Sequence, residues 1–204
     1  MSREPESSSL SRFIALLPWI SLQLLALAAA AFRVPLWARH PAPVEQYALE
    51  LMSAVQIGAA ALFFATLVAD RSRVMLAILS ALPFSILAAI LGMHGPAEGL
   101  IHGAFVAGWI IALGLWHSVL RRWEMVWLGG ILSALWAIGG VVLWYVMDEF
   151  GAGSGGKWSF EWMTPMLGAI TGGRGPAWWA MGACVGIAAI LWAGQKWMQG
   201  KASD

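Results

Sequence analysis

The chain has 204 residues, 60% hydrophobic and 11% charged, and carries a net charge of +1. Soluble domains carry charge on about a quarter of their residues, so too few charged side chains are present to coat a water-facing surface. The near-neutral balance and the lack of any Lys/Arg run exclude a nucleic-acid partner, and the single Cys184 excludes an intrachain disulfide and a cysteine-based metal motif.

Residues 1–11 form a polar, Ser-rich tail expected on the cytoplasmic side. The apolar stretch after it, residues 13–32, ends at Phe32-Arg33-Val34-Pro35-Leu36-Trp37 without a small-x-small cleavage site and reads as a retained first span. Five more stretches of bilayer-crossing length follow, at about 47–69, 74–93, 98–120, 125–147 and 177–197. In lipid every backbone N–H and C=O must be bonded within its own segment, so each reads as a helix. The expectation is an all-α, polytopic transmembrane bundle of about six spans occupying residues 12–198, with a polar cytoplasmic tail at 199–204.

Orientation follows from the basic residues. With the N-terminus inside, Arg3, Arg12, Arg71, Arg73, Arg121, Arg122, Lys196 and Lys201 lie on the cytoplasmic side, against Arg33, Arg39, Lys157 and Arg174 outside. The bias is strongest in the short hairpins Asp70-Arg71-Ser72-Arg73 and Arg121-Arg122-Trp123-Glu124, where the positive-inside rule applies best. N-in/C-in is the expected topology, and the cytoplasmic (inner) membrane of a bacterium the expected location.

The first and second outer loops bring His40, Glu45 and the turn His94-Gly95-Pro96 to the same side. In the second span Gln46, Glu50, Ser53 and Gln56 fall at helical spacing and share one face. In the fourth, Glu98 and His102 are four residues apart and also share a face. Ionisable groups within a membrane are costly and usually have a partner or a task. The stripe Gln46, Glu50, Ser53, Gln56 is therefore a candidate ligand or proton-relay path, and Glu50, His94, Glu98 and His102 a candidate metal set. A purely structural hydrogen-bond network is the commoner fate of such residues. One haem held by His102 with His94 or His40 is a further option. Two haems are excluded unless another subunit supplies ligands, because only His117 of the four histidines lies toward the inner side. No cofactor is required by the sequence.

Small residues recur at spacing four as Ala104, Gly108 and Ala112, as Gly129, Ser133 and Ala137, and as Gly182 and Gly186, which suits close helix contact within the bundle or with other subunits. Pro18 and Pro83 fall inside spans and should kink them. Fourteen tryptophans are present, and those near span ends read as interfacial anchors. Trp109 and Trp136, nearer mid-membrane, read as helix packing or as the wall of a ligand pocket. After the Gly-rich linker 151–156, Trp158, Trp162, Met166 and Ile170 recur every four residues, the pattern of an outer amphipathic or re-entrant helix over 158–170.

No nucleophile elbow, phosphate loop, dinucleotide fingerprint or zinc-protease helix occurs. The leading expectation is a non-catalytic membrane component, either a subunit of a larger complex or a permease-like part of a transport system, with the lipid bilayer and other membrane subunits as partners. The alternatives are a metal- or haem-binding redox protein on the outer Glu/His cluster and a stand-alone small-solute carrier.

Overall fold

The computed structural model describes residues 6–32, 48–150 and 176–201, and all of their regular structure is helical. Seven helices occur among them: α1 (Glu6–Ala31), α2 (Ala48–Leu62), α3 (Phe64–Leu67), α4 (Arg71–Leu91), α5 (Pro96–Arg122), α6 (Val126–Phe150) and α7 (Pro176–Lys201). Three segments are long and apolar enough to cross a membrane, at Arg71–Leu91, Pro96–Arg122 and Trp178–Met198. Shorter apolar stretches occupy Leu16–Ala31, Ala48–Leu62 and Val126–Ala137. The expected helix over 158–170, and the loop residues His40, Glu45 and Gln46, lie outside the described residues.

The helix boundaries follow local chemistry. Asp70 caps α4 by accepting the Arg73 backbone N–H at 2.9 Å, and Pro96 starts α5, where its missing N–H costs nothing. Both tight connections close in the same way. At the end of α4 Met93 adopts φ 58° and the His94 N–H returns to the Ala89 carbonyl at 2.8 Å; at the end of α5 Glu124 adopts φ 57° and the Met125 N–H returns to Leu120 at 3.0 Å. These are Schellman closures built without glycine. The second apolar stretch, expected as one helix, is interrupted at Phe63, whose carbonyl takes the Thr66 hydroxyl at 3.2 Å as well as the Thr66 and Leu67 N–H groups.

Successive long helices alternate in direction. Residues 85–86 of α4 lie beside Gly99 of α5, and Val74 lies beside Gly114, so this pair is antiparallel. The pairing is intimate because α5 presents glycine: a Cβ at Gly99 would stand 2.8 Å from the Ile86 Cα and 2.9 Å from the Ser85 carbonyl oxygen. The spacing-four set Ala104, Gly108, Ala112 is therefore not the face that meets α4. Ala104 is exposed, Gly108 faces Met181 of α7, and Ala112 is buried. The set on α6 does share one packed face: Gly129 meets Leu120 and Phe64, Ser133 donates to the Ala61 carbonyl at 3.1 Å, and Ala137 is buried. α7 packs on α5 through Phe105 against Trp178, while Gly182 and Gly186 have no atom near a would-be Cβ.

Along α4 the distribution of side chains is inverted relative to a soluble bundle. On α4 the buried residues are Ala77, Ala81, Ser85, Ala88 and Ala89, whereas Met75, Leu79, Leu87 and Ile90 are about half exposed or more. On α7 Ile190 is 73% exposed. Two apolar clusters form the interior. One, around Trp19, Ile57, Phe64, Phe105 and Ile110, lies toward the end carrying Arg71 and Arg122; the other, around Ala30, Leu49, Met52 and Ala88, lies toward the His94 end. A layer of polar side chains sits between them.

Candidate functional site

That layer is assembled from three helices. Gln56 of α2 is fully buried; its Nε2 donates to Gln23 Oε1 of α1 at 2.7 Å and to the Ala81 carbonyl of α4 at 3.0 Å, and its Oε1 accepts from the Ser85 hydroxyl of α4 at 3.1 Å. Gln23 Nε2 turns back to the Trp19 carbonyl at 3.3 Å, and Trp19 Nε1 donates to the Ser80 hydroxyl at 2.9 Å. The donors and acceptors are thus matched across α1, α2 and α4. Between apolar layers this matching is obligatory, because an unpaired amide there loses its water partners without replacement.

One turn toward the His94 end, Ser53 of α2 meets His102 of α5. Both are buried, with Ser53 Oγ 2.9 Å from His102 Nδ1 and 2.9 Å from the Leu49 carbonyl. The hydroxyl has one proton. If it goes to Leu49, Nδ1 is protonated and donates to Oγ; if it goes to Nδ1, the ring proton sits on Nε2. The two arrangements differ in the rotation of the hydroxyl and in the ring tautomer, and either one ties α2 to α5.

One turn further out the residues are ionisable. Glu50 is half-buried and its Oε2 has no hydrogen-bond partner among the described residues. His94 Nδ1 lies 3.0 Å from Glu98 Oε2, while the buried His94 Nε2 has none.

Of the residues singled out by sequence, Ser53 and Gln56 do share an inward face with Glu50 beyond them, and Gln46 lies outside the described residues. Of Glu50, His94, Glu98 and His102, the structure joins His94 to Glu98 and His102 to Ser53. No group of three or more His, Cys, Asp or Glu side chains that could hold a metal occurs among the described residues. His117, expected at the inner interface, is instead buried, with its ring 5.4 Å from that of Phe64. Trp109 and Trp136 stack edge to face at 4.9 Å, joined through Phe105 to Trp178, so α5, α6 and α7 meet in an aromatic cluster.

Gln23 and Ser85 were not legible as site residues. Gln23 is the single amide of α1 and Ser85 shares α4 with Ser80 five residues away, so neither belongs to a stripe; the available signal is that a lone glutamine in such a helix requires a partner on another one. Comparison of the chain with protein-family models, with characterised proteins and with solved structures gives no match.

Proposed function

We propose that this chain is a polytopic integral membrane protein of about six spans, N-in and C-in in a bacterial inner membrane, acting as a non-catalytic component of a larger membrane assembly. The carrying observation is the side-chain distribution: on α4 only small and polar residues face inward, and on α4 and α5 large aliphatic ones such as Leu79, Ile90, Leu100 and Ile101 face outward. In water that arrangement exposes apolar area that a soluble fold would bury; in lipid the outward face is solvated and small inward faces permit close packing. The alternation of helix direction, with Arg71, Arg73, Arg121 and Arg122 at one end, supports the proposed topology.

The assembly role rests on α7. It is held chiefly by α5 and leaves Gly182, Gly186, Trp179 and Ile190 outward. The polar layer, in contrast, is closed on itself by bonds among its own members, as a lock between helices requires. Purification from native membranes in mild detergent, with mass spectrometry and an absorption spectrum, tests this reading: defined partner polypeptides and a colourless preparation are expected. A lone monomer that moves a solute in liposomes would overturn it in favour of a stand-alone carrier.

That carrier reading draws on the unpartnered Glu50 Oε2 beside the Ser53–His102 pair. It requires Glu50→Gln to abolish flux while leaving thermal stability unchanged.

A further inference from the structure

The end of the bundle opposite His94 carries charge that the fold does not neutralise. The two hairpins at this end hold four arginines. Arg73 is used internally, its Nε lying 3.2 Å from Asp70 Oδ2 and its Nη1 donating to the Thr66 carbonyl at 2.8 Å. Arg71, Arg121 and Arg122 are exposed and have no carboxylate partner among the described residues, although Glu124 follows in the same turn.

Helix register puts Arg71 and Arg121 on facing sides, with Arg122 the next residue along α5. Val74 of α4 packs at Gly114 of α5. Arg121 is seven residues beyond Gly114, two turns on and so on the α4-facing side; Arg71 is three residues before Val74, one turn in the same direction. At 1.5 Å per residue the two backbones are offset by only about 6 Å along the bundle axis. Like charges gathered at the edge of an apolar bundle repel one another, and the field they create favours an anion between them. Beside them Trp123 and Trp127 are 53% and 67% exposed, the amphipathic rings expected at headgroup depth, and Met75 and Leu79 offer an apolar wall above.

We infer that the exposed surface between the start of α4 and the α5–α6 turn binds the phosphodiester headgroup of an anionic phospholipid, with Arg71, Arg121 and Arg122 as its cationic residues and the acyl chains along Met75 and Leu79. Charge complementarity selects the headgroup, and the adjoining apolar wall selects a lipid over a free anion. The inference rests on the membrane reading above.

The test uses the full chain in detergent micelles, with unfolding followed by tryptophan fluorescence. Adding phosphatidylglycerol should raise Tm by about 5 °C, as expected for a ligand well above its Kd, and phosphatidylcholine should leave it unchanged. In Arg121→Gln/Arg122→Gln the phosphatidylglycerol shift should fall at least threefold; if that variant does not fold, Arg71→Gln replaces it with the same expectation. Lys196→Gln should retain the full shift, since Lys196 is engaged over the Trp192 ring at 4.4 Å. Equal shifts with both lipids, an undiminished shift in the arginine variants, or the same shift with inorganic phosphate would overturn the site. Failure of the membrane reading is separately visible, as a chain that leaves membranes in alkaline carbonate without detergent.

Discussion

Gln56 concentrates three hydrogen bonds to three other residues at the centre of the bundle, and without it the side chains of Gln23 and Ser85 would each lose a partner within an apolar layer. Buried bonds of this kind contribute about 0.6 kcal/mol each within membranes and up to about 1.7, and stranding a partner adds its desolvation cost. Gln56→Leu is expected to destabilise the bundle by about 2 kcal/mol in reversible unfolding in mixed micelles, and Ser85→Ala by under about 1 kcal/mol, since only one bond is removed. A Gln56→Leu protein as stable as the parent would show that the layer carries no net stabilisation. The turn residues act in the opposite direction. Met93 and Glu124 hold left-handed conformations that cost a side-chain-bearing residue about 1–2 kcal/mol. The Met93 side chain is 94% exposed and so contributes little packing. Met93→Gly should therefore relieve the backbone strain and raise stability by about 1 kcal/mol, read in the same assay.

Among the elements, the α4–α5 hairpin is where backbone approach is closest. Gly99 and Gly103 differ in what a methyl group would meet there. At Gly99 it meets the Ile86 Cα and the Ser85 carbonyl, which cannot yield without moving a helix; at Gly103 it meets Leu82 Cδ2 at 2.7 Å, the end of a flexible side chain. Gly99→Ala should cost about 2–3 kcal/mol by overpacking, and Gly103→Ala clearly less, measured side by side. Equal costs would show that α4 is free to shift outward. This close approach also marks what spacing alone conveys. The recurrence Ala104, Gly108, Ala112 is as regular as the Gly99, Gly103 pair, yet only the second faces α4, because the choice of face is made by the neighbouring helix and not by the repeat. The stripe Ser53, Gln56 was legible because two polar residues at helical spacing define an inward face by themselves. Their partners Gln23 and Ser85 come from helices 33 and 29 residues away in sequence, and nothing local indicates that depth match.

For the whole molecule, the apolar stretches at 74–93, 98–120 and 177–197 are legible in sequence because length and composition suffice to define a helix that can cross a bilayer. The interruption at Phe63 was not, since no proline or glycine stands at that position; the backbone departs from the helix there, and the Thr66 N–H turns to the Phe63 carbonyl at 3.0 Å. The convergence of Glu50, His94, Glu98 and His102 rests on side-chain direction, which a depth argument leaves undetermined; His102 turns to Ser53, and His94, in the turn before α5, to Glu98 four residues on. The proposed topology puts the two Schellman turns on opposite sides of a bilayer, Met93 outside and Glu124 in the cytoplasm. Its most direct test is labelling by a membrane-impermeant maleimide in intact cells, with Met93→Cys and Glu124→Cys each placed in a Cys184→Ala background. Met93→Cys should react at once and Glu124→Cys only after the cells are opened; reaction of both, or of neither, before opening would contradict a membrane-spanning α4–α5 hairpin.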